Sequence, residues 1–159
     1  MQRFFELQIV AISRTIFHRW LYFLGTSQET CRFNDCRRDV LTKVLVVEDE
    51  PLITIWVEDA LLDAGYEVAT ACDADAAIRI LEGDSSISLL FTDIDMPGSM
   101  DGLRLAAAVR DRWPPVPIVI ASGKHRPAVS EMPDDAIFLA KPYLSIDMLS
   151  AVDQASRAH

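Results

Sequence analysis

The chain has 159 residues, of which 50% are hydrophobic and 25% charged, and its formal net charge is −9. This length and composition suit one globular domain with a full core plus an appendage. The negative charge argues against direct nucleic-acid binding, which needs clustered Lys and Arg to replace phosphate counterions. Cysteines at 31, 36 and 72, without a nearby histidine pair, predict free thiols in a reducing cytoplasm rather than a zinc site.

Residues 1–41 form an N-terminal extension that differs from the rest of the chain. They carry six Lys and Arg against four Asp and Glu, whereas residues 42–159 carry nine against twenty. Charged residues interrupt the aromatic-rich start, so neither a membrane-spanning helix nor a secretory signal is expected. Two interpretations stay open, a disordered appendage and an amphipathic helix at a membrane surface. A third hypothesis is a translation start at Val40 or Leu41, because valine and leucine codons serve as bacterial starts.

From Lys43 onward, short apolar runs alternate with helical segments. Pro127 and Pro133 stand between the last two runs, so any helix there is expected to be short, irregular or absent. Parallel strands need right-handed crossovers. The predicted fold class is therefore α/β, a flavodoxin-like (βα)₅ doubly wound parallel sheet with strand order 2-1-3-4-5, which forms a domain over 42–159. Strands are predicted at 43–47, 66–70, 87–92, 117–121 and 137–140, and helices at 51–65, 73–81, 101–112 and 145–156.

Acidic side chains follow two of the predicted strands where those strands end. Glu48 and Asp49 follow the first strand, and Asp93 follows the apolar run of the third. The first and third strands are neighbours in the predicted order, so these carboxylates converge at one edge of the sheet. Carboxylates that share a site repel one another unless a cation lies among them, and all-oxygen ligation favours Mg²⁺. For Glu48 and Asp49 alone, the alternative is a solvated strand end that caps the next helix.

Two further polar residues are predicted at the same edge. Ser122 follows the fourth strand, and Lys141 follows the fifth, beside Pro142 in a rigid turn. Each of them alone is typical of a surface loop. Together with the acids they place an acceptor, a hydroxyl and an ammonium group around one point, which is the set of groups needed to handle a phosphoryl group.

These motifs resemble the receiver domain of two-component response regulators. The resemblance implies that Asp93 accepts a phosphoryl group from a sensor histidine kinase or a histidine phosphotransfer protein. Such a protein is a phosphoacceptor and not an enzyme in the usual sense. The resemblance covers about residues 42–157, and the matching residues are Glu48, Asp49, Asp93, Ser122, Lys141 and Pro142.

The resemblance also implies a metal site. The carboxylates of Asp49 and Asp93 and the main-chain carbonyl of Asp95 are expected to hold Mg²⁺. Glu48 is expected to act through a water molecule.

The remaining implied roles concern transfer and switching. Lys141 is expected to pair with phosphoryl oxygens, Ser122 to bond one of them after transfer, and Phe138 to occupy the position of the aromatic switch residue. Ser122 stands where threonine is commoner, and Phe138 lacks the hydroxyl that a tyrosine would offer. The prolines before the fifth strand put in doubt the usual dimer across that face, although a homodimer stays an open alternative.

Few residues follow Pro142, so a stand-alone receiver is expected, whose output is a downstream protein partner or a phosphorelay. One alternative is a haloacid dehalogenase-type phosphatase with Asp93 as nucleophile, because D-x-D follows an apolar strand. That family places its further acids downstream and usually has Thr or Val where this chain has Pro97. The other alternative is a degenerate receiver that acts as a constitutive binding module.

Overall fold

The computed structural model describes residues 42–124 and 126–157. The predictions for the N-terminal extension, including the domain boundary at 41/42, lie outside these residues. No helix in the described ranges is both long and apolar enough to cross a bilayer. The strands are β1 (Lys43–Val47), β2 (Glu67–Ala71), β3 (Ile87–Asp93), β4 (Ile118–Ser122) and β5 (Ile137–Ala140), and the helices are α1 (Pro51–Asp63), α2 (Ala74–Gly83), α3 (Gly102–Arg112) and α4 (Ser145–Arg157).

The strands form one sheet in the order β2-β1-β3-β4-β5, and every neighbouring pair is parallel. This confirms the predicted flavodoxin-like (βα)₅ fold. Between β4 and β5 the described chain forms only a 3₁₀ turn, Val129–Glu131. Pro133 has no N–H with which to extend that turn, and Pro127 disfavours a helical conformation at the residue before it, so a longer helix does not form.

Alternate residues of the central strands face opposite helix layers. Val44 and Val46 of β1 pack against α1 and α4, whereas Leu45 and Val47 pack against α2 and α3. All four side chains are fully buried. A parallel strand covered on both faces has no solvent side, which is why β1 is an unbroken apolar run after Lys43.

Aspartates fix the starts of the two helices that follow β2 and β3. Asp73 caps α2 by accepting a hydrogen bond from the Ala76 N–H at 2.7 Å. Asp101 caps α3 in the same way, with the Arg104 N–H at 2.8 Å. Each cap satisfies a backbone donor that has no partner within the helix. The second cap sets where α3 begins relative to the end of β3.

The first residue of α3, Gly102, lies against the backbone at the end of β3. A Cβ at Gly102 would lie 1.8 Å from the carbonyl oxygen of Asp93 and 2.9 Å from the Cα of Ile94. The Gly102 N–H donates to the Ile94 carbonyl at 3.1 Å. Because the opposing atoms are backbone, they cannot rotate away, and only glycine fits.

We therefore expect Gly102→Ala to lower the free energy of unfolding by about 2 kcal/mol, the usual scale for overpacking against an unyielding neighbour. Urea denaturation monitored by circular dichroism measures the change. Gly83→Ala is the matched control, because a Cβ at Gly83 meets no atom within 4 Å. Equal unfolding midpoints for Gly102→Ala and the wild type would contradict the close approach.

Candidate functional site

The candidate site lies at the carboxyl edge of the sheet, where the strand register brings four strand ends together. Val47 pairs with Thr92 across β1 and β3, and Asp93 pairs with Ala121 across β3 and β4. Ser122 in turn pairs with Ala140 of β5, just before Lys141. Groups that are far apart in sequence are therefore held side by side by the backbone of the sheet.

The centre of the site is a buried ion triad formed by Lys141, Glu48 and Asp93. Lys141 Nζ donates to Glu48 Oε2 at 2.7 Å and lies 3.2 Å from Asp93 Oδ2. The side chains are 17%, 0% and 8% exposed, in that order. The predicted convergence of these three residues is observed, and Lys141 is the group that bridges the two acids.

Burial and charge act in opposite directions on the protonation of Glu48 and Lys141. Burial raises the pKa of Glu48, and the hydrogen bond and charge of Lys141 offset this only in part. Burial lowers the pKa of Lys141, but the hydrogen bond to Glu48 and the charge of Asp93 outweigh burial and bring it above the ordinary value. Lys141 therefore carries its proton throughout the physiological range. The side chain of Glu48 has no contact with solvent, and burial is the largest influence on its pKa.

The two carboxylate oxygens of Asp93 have different neighbours. Oδ1 accepts a hydrogen bond from the Ile94 N–H at 2.9 Å, while Oδ2 faces Lys141. The Thr92 hydroxyl donates to the Asp93 carbonyl at 3.0 Å and fixes the backbone behind it. Asp93 is 5% exposed, so it is held in one orientation at the mouth of β3.

The acidic residues are close enough to share a cation. One ligand oxygen each from Glu48, Asp49 and Asp93 lies within 4.8 Å of the others. The cluster contains three carboxylates, and the ammonium of Lys141 contacts two of them, Glu48 and Asp93. The cluster therefore has excess negative charge, and hard oxygen donors suit Mg²⁺. The residues present therefore fit the predicted metal.

The side chain of Asp95 contacts Ser122. Its Oδ2 accepts a hydrogen bond of 2.9 Å from the Oγ of Ser122. Ser122 is 2% exposed at the end of β4, where it was predicted, whereas Asp95 is exposed. This contact was not predicted from the sequence, although the adjacency of β3 and β4 is the signal that would have indicated it.

Phe138 is half-buried on β5. It packs against the core layer between the sheet and helices α2 and α3, together with Met132 and Ala136. Phe138 thus belongs to the strand that leads to Lys141, and it follows the segment that forms only a 3₁₀ turn. Its predicted role as a switch stays a prediction.

Tyr143 lies near the site and was not predicted from the sequence. Its ring centroid lies 5.8 Å from that of Trp56 and 6.3 Å from that of Phe91. Its hydroxyl is buried and has no hydrogen-bond partner among the described residues. Burial raises the pKa of the phenol, and the charges of Glu48 and Asp93 raise it further. Its place directly after Lys141-Pro142 is the signal that would have indicated it.

A groove of about 530 Å³ opens beside Lys141. Ile53, Trp56 and Tyr143 form its apolar walls, and Lys124 adds a second ammonium group. An anionic group carried on an apolar body would find complementary surfaces here.

Comparisons with known proteins agree with this geometry. Residues 44–153 match the family model for the response regulator receiver domain. The chain belongs to the response regulator receiver family. Receiver domains are phosphoacceptor signalling modules of two-component systems rather than enzymes in the usual sense, and this assignment decides against the haloacid dehalogenase alternative.

Among curated relatives, the chain is 35% identical over 113 residues to the response regulator FleR of Pseudomonas aeruginosa. The aligned region covers 69% of this chain and 24% of FleR. It is 41% identical over 81 residues to the nitrogen assimilation regulator NtrX of Azorhizobium caulinodans. That aligned region covers 50% of this chain and 18% of NtrX. The chain thus spans about a quarter or less of the length of these relatives.

Solved structures show the same fold. A response regulator receiver protein from Sinorhizobium medicae superposes with a TM-score of 0.68 at 31% identity, covering 74% of this chain and 96% of that one. A receiver domain protein from Clostridium thermocellum gives a TM-score of 0.69 at 28% identity, covering 74% of this chain and 96% of that one.

The ion triad predicts a large effect of Lys141→Met on stability. Without the ammonium, the buried carboxylate of Glu48 has no counter-charge, and breaking such a pair costs about 3 kcal/mol at neutral pH. The pKa of Glu48, already raised in the folded protein, rises further, so the cost shrinks as acidification protonates the group. Denaturation of wild type and variant between pH 7 and pH 5 measures both effects.

A double variant combines Glu48→Gln with Lys141→Met. We expect it to be more stable at pH 7 than Lys141→Met alone, since no unpaired buried charge remains at residue 48. Arg157→Met is the matched control: its ion pair with Asp153 is exposed, and such pairs contribute about 0–1 kcal/mol. A loss for Lys141→Met no larger than for Arg157→Met would show that the triad does not stabilise the fold.

Proposed function

We propose that Asp93 accepts a phosphoryl group from a phosphohistidine, carried by a sensor histidine kinase or a histidine phosphotransfer protein. We assign this role to a receiver domain over 42–159, preceded by the extension 1–41. The observation that carries the proposal is the position of Lys141, 2.7 Å from Glu48 and 3.2 Å from Asp93. An ammonium group beside an oriented carboxylate is placed to stabilise charge on a transferring phosphoryl group.

The transfer is an exchange of bonds at phosphorus. A carboxylate oxygen of Asp93 forms the new O–P bond while the N–P bond to the donor imidazole breaks, and the imidazole keeps the bonding electron pair. The Ile94 N–H holds the carboxylate in place through Oδ1. Lys141 lies beside Oδ2 and offsets the negative charge that approaches it.

The acidic cluster is proposed to hold Mg²⁺ through the carboxylates of Asp49 and Asp93 and the main-chain carbonyl of Asp95, with Glu48 acting through water. When bound, the cation neutralises charge on the phosphoryl oxygens. The excess of carboxylates over ammonium groups in the cluster supports this assignment.

The surface beside the site supports a protein as the donor. Leu52, Ile55 and Trp56 on α1 are 81%, 54% and 41% exposed, and α1 also lines the groove beside Lys141. Contiguous exposed apolar residues of this kind mark protein contact surfaces. Downstream, the proposal requires a protein partner that distinguishes the phosphorylated from the unphosphorylated chain.

Incubation with acetyl phosphate and Mg²⁺ should add the mass of one phosphoryl group to the wild type and none to Asp93→Asn. Intact-mass spectrometry makes the measurement. Asp95→Asn is the matched control, because it neutralises a neighbouring carboxylate and should still be labelled. EDTA should abolish labelling, since the incoming phosphoryl then meets uncompensated carboxylates.

Equal labelling of the wild type and Asp93→Asn would overturn the assignment of the acceptor. Absence of labelling in the wild type, by acetyl phosphate and by a phosphorylated histidine phosphotransfer protein, would favour the degenerate receiver instead.

Phosphorylation is proposed to act on the rest of the domain through Ser122 and Phe138. A phosphoryl oxygen on Asp93 draws the Ser122 hydroxyl inward, and the space this leaves lets the half-buried ring of Phe138 turn. Since Phe138, Met132 and Ala136 pack against the same core cluster, a movement of the Phe138 ring is proposed to reshape the surface of the segment before β5. The size of this population shift is limited by how differently the phosphoryl group interacts with the two states.

Amide NMR with and without beryllofluoride and Mg²⁺ tests this route. Shifts are expected at 93–95 and across 126–140. Ser122→Ala should keep the first set and lose most of the second. Shifts confined to the neighbours of Asp93 in the wild type would contradict the route through Phe138.

A further inference from the structure

We propose that the carboxylate of Asp95 competes with a phosphoryl group on Asp93 for the hydrogen bond donated by the Ser122 hydroxyl. We call the contact between Ser122 and Asp95 the latch. The proposal rests on the proposed phosphoacceptor function and deepens it. Its basis is the 2.9 Å hydrogen bond from Ser122 Oγ to Asp95 Oδ2. Asp95 is thus a positioning residue, which acts through Ser122.

A serine hydroxyl has a single hydrogen to donate. In this structure that hydrogen lies toward a charged acceptor, and hydrogen bonds to ionised groups are stronger than neutral ones. For Ser122 to bond a phosphoryl oxygen on Asp93, the bond to Asp95 must break. The two acceptors are therefore alternatives for the same proton.

The backbone on either side of the latch is fixed. Lys141 N–H donates to the Ser122 carbonyl at 2.8 Å, and Ile94 N–H donates to the Ala121 carbonyl at 3.0 Å. Redirecting the hydroxyl therefore takes rotation of the Ser122 side chain rather than movement of β4. Serine has no γ-methyl group, so it lacks the steric restriction that stiffens χ1 in threonine.

The consequence is a weaker response to phosphorylation than an unlatched hydroxyl would give. One charge-assisted hydrogen bond is exchanged for another, so the phosphoryl group biases the switch only by the difference between the two bonds. Removing the Asp95 carboxylate should increase that bias.

Asp95 also carries a negative charge near a centre that binds an anion. Removing that charge favours anion binding by itself, and this effect must be separated from the loss of the hydrogen bond to Ser122. The double-mutant cycle of Asp95→Ala and Ser122→Ala makes the separation. The charge effect is the same whether residue 122 is serine or alanine. The latch exists only when it is serine.

The measurement is the dissociation constant of the Mg²⁺–beryllofluoride complex of the full chain, from NMR titration of the wild type, both single variants and the double variant. We expect Asp95→Ala to tighten binding roughly 3- to 20-fold more in the wild-type background than in the Ser122→Ala background. Glu50→Gln is the charge-matched control, since Glu50 follows β1 at the same edge of the sheet and should tighten binding equally in both backgrounds.

Equal tightening by Asp95→Ala in the two backgrounds would overturn the latch while leaving the proposed function intact. Absence of beryllofluoride binding by the wild type would overturn the proposed function and the latch with it. Asp95→Asn provides a second route: it keeps a neutral acceptor for Ser122, so its effect should fall between those of the wild type and Asp95→Ala. Thermal unfolding of each variant verifies that the compared proteins are folded.

Discussion

The buried triad of Lys141, Glu48 and Asp93 is the interaction on which the rest of the site depends. Two carboxylates with almost no solvent contact are tolerable together only because one ammonium group reaches both of them. Those three residues lie at the ends of β1, β3 and β5, so the triad can form only if the strands adopt their observed order. The order of the strands in the sheet therefore decides whether these three charged side chains can meet.

Aromatic residues on either side of Lys141 in the chain pack on opposite faces of the sheet. On one face, Tyr143 follows Lys141 and packs against Trp56 and Phe91, in the layer of α1 and α4. On the other, Phe138 precedes Lys141 and packs in the layer of α2 and α3. Both rings lie within three residues of the lysine, so the chain segment that carries Lys141 is packed in both layers.

The sequence was sufficient to predict the strand order and the convergence of the polar strand ends. Apolar runs such as β1 have a pattern typical of a doubly covered parallel strand, and parallel order then decides which ends meet. Contacts that depend on side-chain rotamers were not predictable in this way. The bond from Ser122 to Asp95 and the burial of the Tyr143 hydroxyl depend on small packing distances, which periodicity does not contain. The close approach of Gly102 belongs to the same class, since a glycine in sequence does not reveal which backbone lies against it.

Gly102 also sets which parts of the domain are free to vary in length. Its N–H closes the loop from Ile94 back onto the end of β3, and the absence of a Cβ lets the two backbones touch. An inserted or deleted residue between Asp93 and Gly102 would shift this contact and move Asp93. The stretch from Pro127 to Pro133 forms only a 3₁₀ turn and takes no part in that close approach. A change of length in that stretch would therefore leave the contact between Gly102 and the end of β3 intact.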